Sequence, residues 1–481
     1  LHFMLLTDFN DAPTEHLPGD IHLLKYAEKL MLDLNARHAE KGNDIFFLCH
    51  RPRMWNESES IWMGHERKRG KLEDLNNLLR GNIQSAFSFM VGRAELLSNI
   101  KYVITLDSDT QLPRESAQQY VAVMVHPLNR PRLDSRLNVV VEGYGILQPR
   151  VGEALPLAGM TRYVQLCGSD FGIDPYTRTV SDVYQDIFHE GSFMGKGIYD
   201  VDVYQRVLAN RFPENRILSH DLLEGCYLHS GFLSDVPLYE NYPSSYLADT
   251  KRRIRWTRGD WQLTDWLFPR VLNSLGQRVK NPLSALSRFK IFDNLRRSIT
   301  PIALLILFCL SLTILPIHFF WFGTLFVLVA LPAFVKTFLE LIRKPDDMLA
   351  SQHIENILHA TRRGIGQLLL FFACLPHEAF YSLCAILQTE WRKIISKKHL
   401  LEWTSSEQAS QKLRGTMGEW LVNMWMGPFM AVSGVIVLII DAKYRLLFFA
   451  TPLLLLWFIS PFLTRWLSRT VRHSQPKLKK S

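Results

Sequence analysis

The chain has 481 residues, 47% hydrophobic and 21% charged, with 12 Trp and 29 Phe, which is too apolar and aromatic for a disordered tail. A mean hydropathy near zero over this length averages a soluble part with a membrane part. The net charge of +9 suits nucleic acid, an anionic membrane surface or a phosphorylated substrate until the basic residues are placed.

Leu1, not Met, opens the chain, and Leu1 to Thr7 reads as the inside of a strand with no signal peptide before it, as expected of a piece excised from a longer protein. Apolar runs and helical patterns then alternate. Strands are expected at Phe3 to Leu6, Ile45 to Cys49, Tyr102 to Leu106 and Val139 to Val141, and helices at Asp20 to His38, Leu72 to Leu97 and Glu115 to His126. Such alternation predicts an α/β domain with a mostly parallel sheet, assigned to residues 1–286, with ligands beyond the carboxyl ends of its strands. Two strands run straight into acids, Asp8 and the pair Asp107 and Asp109.

Residues 287–481 are expected to form a transmembrane domain. Ser298 to Val335 has no Asp, Glu, Lys or Arg in 38 residues, enough for a two-span hairpin turning at Pro316 and His318. A second hairpin is expected after it, so the four spans are 298–316, 319–336, 420–440 and 444–463. Residues 365–388 are read as interfacial or re-entrant, because Pro376, His377 and Glu378 fall mid-segment. A crossing there would also put Arg392, Lys393, Lys397, Lys398 and the basic tail of Arg465, Arg469, Arg472, Lys477, Lys479 and Lys480 outside, against the positive-inside rule. An ordinary fifth helix is the alternative. The six cysteines have neither a CxxC pair nor zinc-ligand spacing with histidine and read as reduced structural thiols.

Asp107-Ser108-Asp109 leaves its strand with two carboxylates able to face one cation, and hard oxygen ligands select Mg²⁺ or Mn²⁺. Asp-x-Asp also closes turns, so its companions matter. Arg67, Lys68, Arg69 and Lys71 form a basic mouth suited to a diphosphate, or simply a solvated helix start. The run Gly191 to Gly197 lacks P-loop spacing and has no Ser or Thr after Lys196, so it reads as a tight turn beside a cleft. Ser219-His220-Asp221 is no catalytic triad, because adjacent side chains cannot make that geometry. Asp221 does open a helical run, where a carboxylate can act as a cap or be held at a cleft edge. Lys251 to Trp261 packs five cations and two indoles just before the membrane part. Nucleic acid fits those charges. A diphosphate beside a sugar stacked on Trp256 also explains why a transmembrane hairpin follows.

Together, Asp8, Lys71, Asp107-x-Asp109, Asp221 in Ser-His-Asp-Leu-Leu-Glu-Gly, and Arg252-x-x-Arg255-Trp256 resemble membrane-bound GT-A glycosyltransferases of the processive β-glucan type. Phe188 to Tyr199, Ile217 to Gly225, Tyr239 to Gln262 and Leu375 to Ala379 are similar to the family 84 glycosyltransferase region of cyclic β-1,2-glucan synthases, and this likeness covers nearly the whole chain. Two departures stand out. Arg252 occupies the place of the glutamine in Gln-x-x-Arg-Trp, so that residue's acceptor contact does not carry over, and the first strand of the nucleotide-binding fold is expected upstream of Leu1.

The resemblance implies a GT-A, Rossmann-like domain facing the cytosol and anchored in the bacterial inner membrane. It implies inverting transfer of glucose from UDP-glucose to the 2-hydroxyl of a growing β-1,2-glucan. Asp107 and Asp109 would orient the diphosphate directly or through Mg²⁺ or Mn²⁺, and Asp221 would be the general base. Arg255 would neutralise the diphosphate and Trp256 face the acceptor, with Asp8 and Lys71 as nucleotide contacts and Arg252 as a further substrate contact. The expected partners are UDP-glucose, the glucan acceptor, the lipid bilayer and the phosphorylase-like domain of the longer chain, and no nucleic acid. Two alternatives remain: another processive β-glycan synthase, of cellulose or chitin-like type, and a non-catalytic membrane adaptor with a transferase fold.

Overall fold

Strand β1 (Phe3–Asp8) runs parallel to β2 (Phe46–Arg51) in register, which sets Asp8 opposite Arg51 at the carboxyl ends of both. The computed structural model that shows this describes residues 1–39, 43–81, 86–154, 160–168, 182–342, 344, 349–403 and 415–471. β3 (Phe89–Val91) pairs antiparallel on the far side of β2. A second sheet orders β7 (Ser230–Glu240), β5 (Ile146–Glu153), β6 (Gly197–Asp200) and β4 (Tyr102–Thr105). β7 and β5 are parallel, whereas β6 is antiparallel to both of its neighbours. Both larger sheets are therefore mixed, each with one parallel pair. β1 and β4 end their respective sheets, and their residues line the same cleft.

The helix Asp20–His38 has the expected bounds. The helix expected at Leu72 to Leu97 instead covers Arg67–Leu79, and the chain leaves it through Gly81 at φ +75°, a left-handed conformation that glycine adopts without steric cost. Beyond it, Phe89–Val91 gains a sheet ladder against Leu48 to His50, and Ala94–Leu97 makes only a short 3-10 turn.

Phe47, Cys49, Leu75, Ile146, Tyr199 and Leu223 share one buried cluster with Ile291, which lies on the helix Ala285–Thr313. That helix starts in the soluble core and continues as an apolar rod. Its foot is fixed by Lys290, 1% exposed, whose ammonium donates to the carbonyls of Glu190 (2.9 Å) and Gly191 (2.8 Å) and to the Glu190 carboxylate (2.9 Å).

Among the described residues, four helices are long and apolar enough to cross a membrane: Ala285–Thr313, His318–Ile342, Ala350–Ser396 and Tyr444–Leu467. Met417–Asn423 and Met426–Ile440, bent by 62°, make a fifth if they form one broken span. Residues 365–388, read above as interfacial or re-entrant, lie inside the continuous α-helix Ala350–Trp391, which runs through Pro376. Proline cannot donate to the carbonyl four residues earlier, here that of Phe372. The buried indole of Trp457 donates to it instead, at 2.8 Å. Pro461 likewise leaves the Trp457 carbonyl open, and the Ser460 hydroxyl donates to it at 2.8 Å. All six cysteines are free. Arg472, Lys477, Lys479 and Lys480 lie outside the described residues, as do residues 404–414 of the preceding basic loop.

Candidate active site

All eight positions singled out above, Asp8, Lys71, Asp107, Asp109, Asp221, Arg252, Arg255 and Trp256, line one cleft of about 2860 Å³. It opens along the carboxyl ends of β1 and β4 and reaches the foot of the apolar helices at Arg297 and Glu378.

At the end of β1, Asp8 accepts from Arg51 Nε at 2.8 Å and Nη2 at 3.0 Å, and Lys71 lies 3.3 Å away. Arg51 is 2% exposed at its side chain and also holds Asp74 at 2.7 Å. Burial works against the Asp8 charge, but Arg51 and Lys71 more than offset it and hold the carboxyl below its usual range. A Cβ on Gly64 would sit 2.7 Å from that carboxyl, so glycine is what lets the neighbouring backbone close over it.

Asp107 follows β4 and meets two ammonium groups, Lys68 at 2.5 Å and Lys196 at 3.3 Å. Lys196 also pairs with Glu240 at 2.6 Å, and Thr110 donates to the same Glu240 oxygen at 2.5 Å. Glu240 ends β7. It reaches the Asp-x-Asp turn because the backbones of Gln111 and Tyr239 exchange hydrogen bonds at 2.8 and 3.1 Å. Carboxylate oxygens of Asp107, Asp109 and Glu240 lie within 4.8 Å of one another. This all-oxygen set suits a hard divalent cation, Mg²⁺ or Mn²⁺, in residue type and in spacing. Burial pushes the Asp107 carboxyl up, but Lys68 and Lys196 outweigh it and keep the group ionised below the usual range.

Asp221 is the first residue of the helix Asp221–Leu228, near the positive end of its backbone dipoles. Its buried Oδ1 accepts no hydrogen bond but lies 3.5 Å from His220 Nδ1. Gly195, at φ +88°, packs against it, and the Gly195 carbonyl accepts from Lys68 at 2.8 Å. Lys68 therefore bridges the two acidic centres, bonded to Asp107 and held in the field of Asp221. Beneath Asp221, the buried His220 Nδ1 lies 2.8 Å from Glu224, which also accepts from the Tyr204 hydroxyl at 2.6 Å. Burial would lower the His220 pKa, but Glu224 and Asp221 reverse that and raise it, while the same pairing lowers Glu224.

The helix Tyr246–Gln262 carries the arginines and Trp256. Arg252 is turned inward: it pairs with Asp249 at 2.6 Å and lies over the rings of Trp256 (4.6 Å) and Tyr242 (5.2 Å). It braces Trp256 and also lines the cleft. Arg253 joins Asp249 at 3.0 Å to Glu378 of the long apolar helix at 2.9 Å, tying the cleft wall to the membrane part. Arg255 stands over Trp403 at 5.5 Å and in the field of Asp107 and Asp109.

Sequence reasoning missed Glu240 and Trp403 and gave Lys196 no role. Glu240 was findable, since it ends a strand, where ligands gather in α/β sheets. Lys196 lies in the glycine-rich run that reads as a tight turn beside a cleft.

A mixed α/β domain whose cleft of acidic and basic side chains stands at the foot of several long apolar helices defines a membrane-associated protein. In sequence, the chain is 38% identical over 475 residues, 98% of its length, to the cyclic beta-(1,2)-glucan synthase NdvB of Rhizobium meliloti (strain 1021). It is homologous to one region of that synthase and spans 16% of the relative's length. No protein-family model matches the chain.

Proposed function

We propose that this chain is the glucosyltransferase region of a cyclic β-1,2-glucan synthase, polymerising glucose from UDP-glucose with inversion at the anomeric carbon. Beyond the homology, the observation that carries this reading is Lys68, which joins the Asp107 centre to the Asp221 centre in one cleft. A sugar nucleotide demands that pairing: cations and a metal site for its diphosphate, and a basic group for the incoming hydroxyl.

In this reading Asp107, Asp109 and Glu240 hold Mg²⁺ or Mn²⁺, which when bound supplies positive charge beside the leaving diphosphate. Arg255, Lys68 and Lys196 add cationic donors along the same wall. Asp8 and Lys71 contact the nucleotide. Trp256, braced by Arg252, offers an apolar face to the acceptor sugar. Asp221 takes the proton of the acceptor 2-hydroxyl as its oxygen attacks the anomeric carbon. The carbon–oxygen bond to UDP breaks on the opposite face, which gives inversion. A free carboxylate within hydrogen-bond reach is what this step needs, and such proton transfer contributes about 10²–10⁴-fold. The Asp221 side chain lines the cleft and stays 30% exposed there, which fits that need.

In this reading the apolar helices anchor the domain in a bacterial inner membrane with the cleft on the cytosolic side, within a longer synthase that carries the phosphorylase-like domain. The test is product analysis: membranes containing the complete synthase, given radiolabelled UDP-glucose, form a glucan joined by β-1,2 bonds. Another linkage, or no transfer, refutes the reading.

A further inference from the structure

The candidate metal pocket already holds a cation, supplied by the chain. The Lys196 ammonium stands 2.6 Å from Glu240 Oε1 and 3.3 Å from Asp107 Oδ2, between two of the three acids whose oxygens lie within 4.8 Å of one another. Lys68 takes the other Asp107 oxygen at 2.5 Å. A Mg²⁺ ion needs carboxylate oxygens at about 2.0–2.1 Å in near-octahedral geometry. It cannot share Asp107 and Glu240 with an ammonium at these distances, because the cations would stand a few ångströms apart in a partly buried site where repulsion is weakly screened. Metal and Lys196 are therefore alternative occupants. The lysine stem is flexible enough to swing away, but leaving two carboxylates without a new anion is costly. A diphosphate provides that anion.

We infer that Lys196 is an internal counter-cation that keeps divalent metal out of the Asp107, Asp109 and Glu240 pocket until a nucleoside diphosphate takes over the lysine's charge. Metal and nucleotide then bind cooperatively, each tightening the other by the same factor, as linkage requires. The inference rests on the transferase reading above and adds to it an order of assembly: neither metal nor diphosphate alone is well held, and the pair is.

Binding, not turnover, tests this. Mn²⁺ affinity is measured from the electron paramagnetic resonance signal of the free aqua ion, on the full chain in lipid nanodiscs, with and without UDP, taking Asp109→Ala as background. In the unmodified protein UDP raises Mn²⁺ affinity by about 5–150-fold, the usual span of such coupling. Lys196→Gln binds Mn²⁺ alone more tightly by a similar factor, and UDP then adds little. Lys196→Met, which keeps the apolar stem, gives the same readout if the amide is not tolerated. Strong UDP coupling in the unmodified protein, with Mn²⁺ affinity unchanged in both variants, overturns the role of Lys196 and leaves the transferase reading standing. No Mn²⁺ binding above background, with or without UDP, overturns the metal-dependent site and this inference together.

Discussion

A Cβ built on Gly195 would lie 2.7 Å from Oδ1 of Asp221, so the glycine-rich turn and the carboxylate are packed as one unit. The same turn carries Lys196 and offers its Gly195 carbonyl to Lys68. One short loop thus sets the positions of the proposed base and of two cations near the Asp-x-Asp turn.

Gly195→Ala has a specific consequence. The residue sits at φ +88°, where a side chain costs about 1–3 kcal/mol, and the new methyl displaces Asp221. Misplacement on the scale of an ångström can cost about 10²-fold in rate. We expect glucan elongation to fall by about that factor while circular dichroism stays native. Unchanged elongation in the folded variant would show that the Asp221 position is not set by this contact.

Trp457→Phe should destabilise the helical part by about 1–3 kcal/mol, because it leaves the buried Phe372 carbonyl without a donor. In Pro376→Ala the backbone N–H returns, and the penalty of the Trp457 change should shrink in that background. Thermal unfolding of the four proteins in detergent gives the coupling. Additive effects would mean that the indole bond does not compensate for the proline.

Pro376 also shows where sequence reading stops. A proline, a histidine and a glutamate in an apolar stretch argue against an ordinary span, while the partners that let the helix continue, Trp457 for the Phe372 carbonyl and Arg253 for Glu378, are 85 and 125 residues away. Glu240 escaped because its strand was not expected, and the Gln111–Tyr239 backbone pair that brings it to Asp107 joins distant parts of the chain. Local signals did better. The helix Asp20–His38 was bounded by periodicity, and Asp8 and Asp107 were marked by the strands they follow. Asp221 was marked by the helix it opens. The helix expected to run to Leu97 failed at Gly81, whose left-handed turn releases Phe89–Val91 into the sheet.

His220 should titrate above its ordinary 6.5, because Glu224 and Asp221 outweigh the burial that alone would lower it. A histidine raised on folding contributes stability that is full below 6.5 and is lost as pH rises through the folded value. Glu224, lowered from 4.5, contributes stability present above 4.5 and lost as pH falls through its folded value. The pair therefore supports the fold most between those two ordinary values. Glu224→Gln should bring the His220 pKa down, read by NMR of the imidazole; a His220 pKa that ignores the substitution would contradict the pairing.

β1 and β4 each have one strand neighbour among the described residues, and Leu1, Phe3 and Leu5 are 81%, 49% and 44% exposed. Open apolar edges of this kind accept a further strand. If another segment of the longer synthase supplies it between β1 and β4, amide exchange over Phe3–Asp8 and Tyr102–Thr105 should slow in the complete protein relative to this chain. Equal exchange in the two would refute a strand at that place.

Asp221→Asn in the complete synthase is the most direct measurement, because it keeps the shape of the side chain and removes its basicity. With radiolabelled UDP-glucose in membranes, glucose transfer should drop by at least about 10²-fold while UDP affinity stays close to that of the unmodified protein. Elongation at near the unmodified rate would contradict the assignment of Asp221 as the base, and with it the proposed chemistry of the cleft.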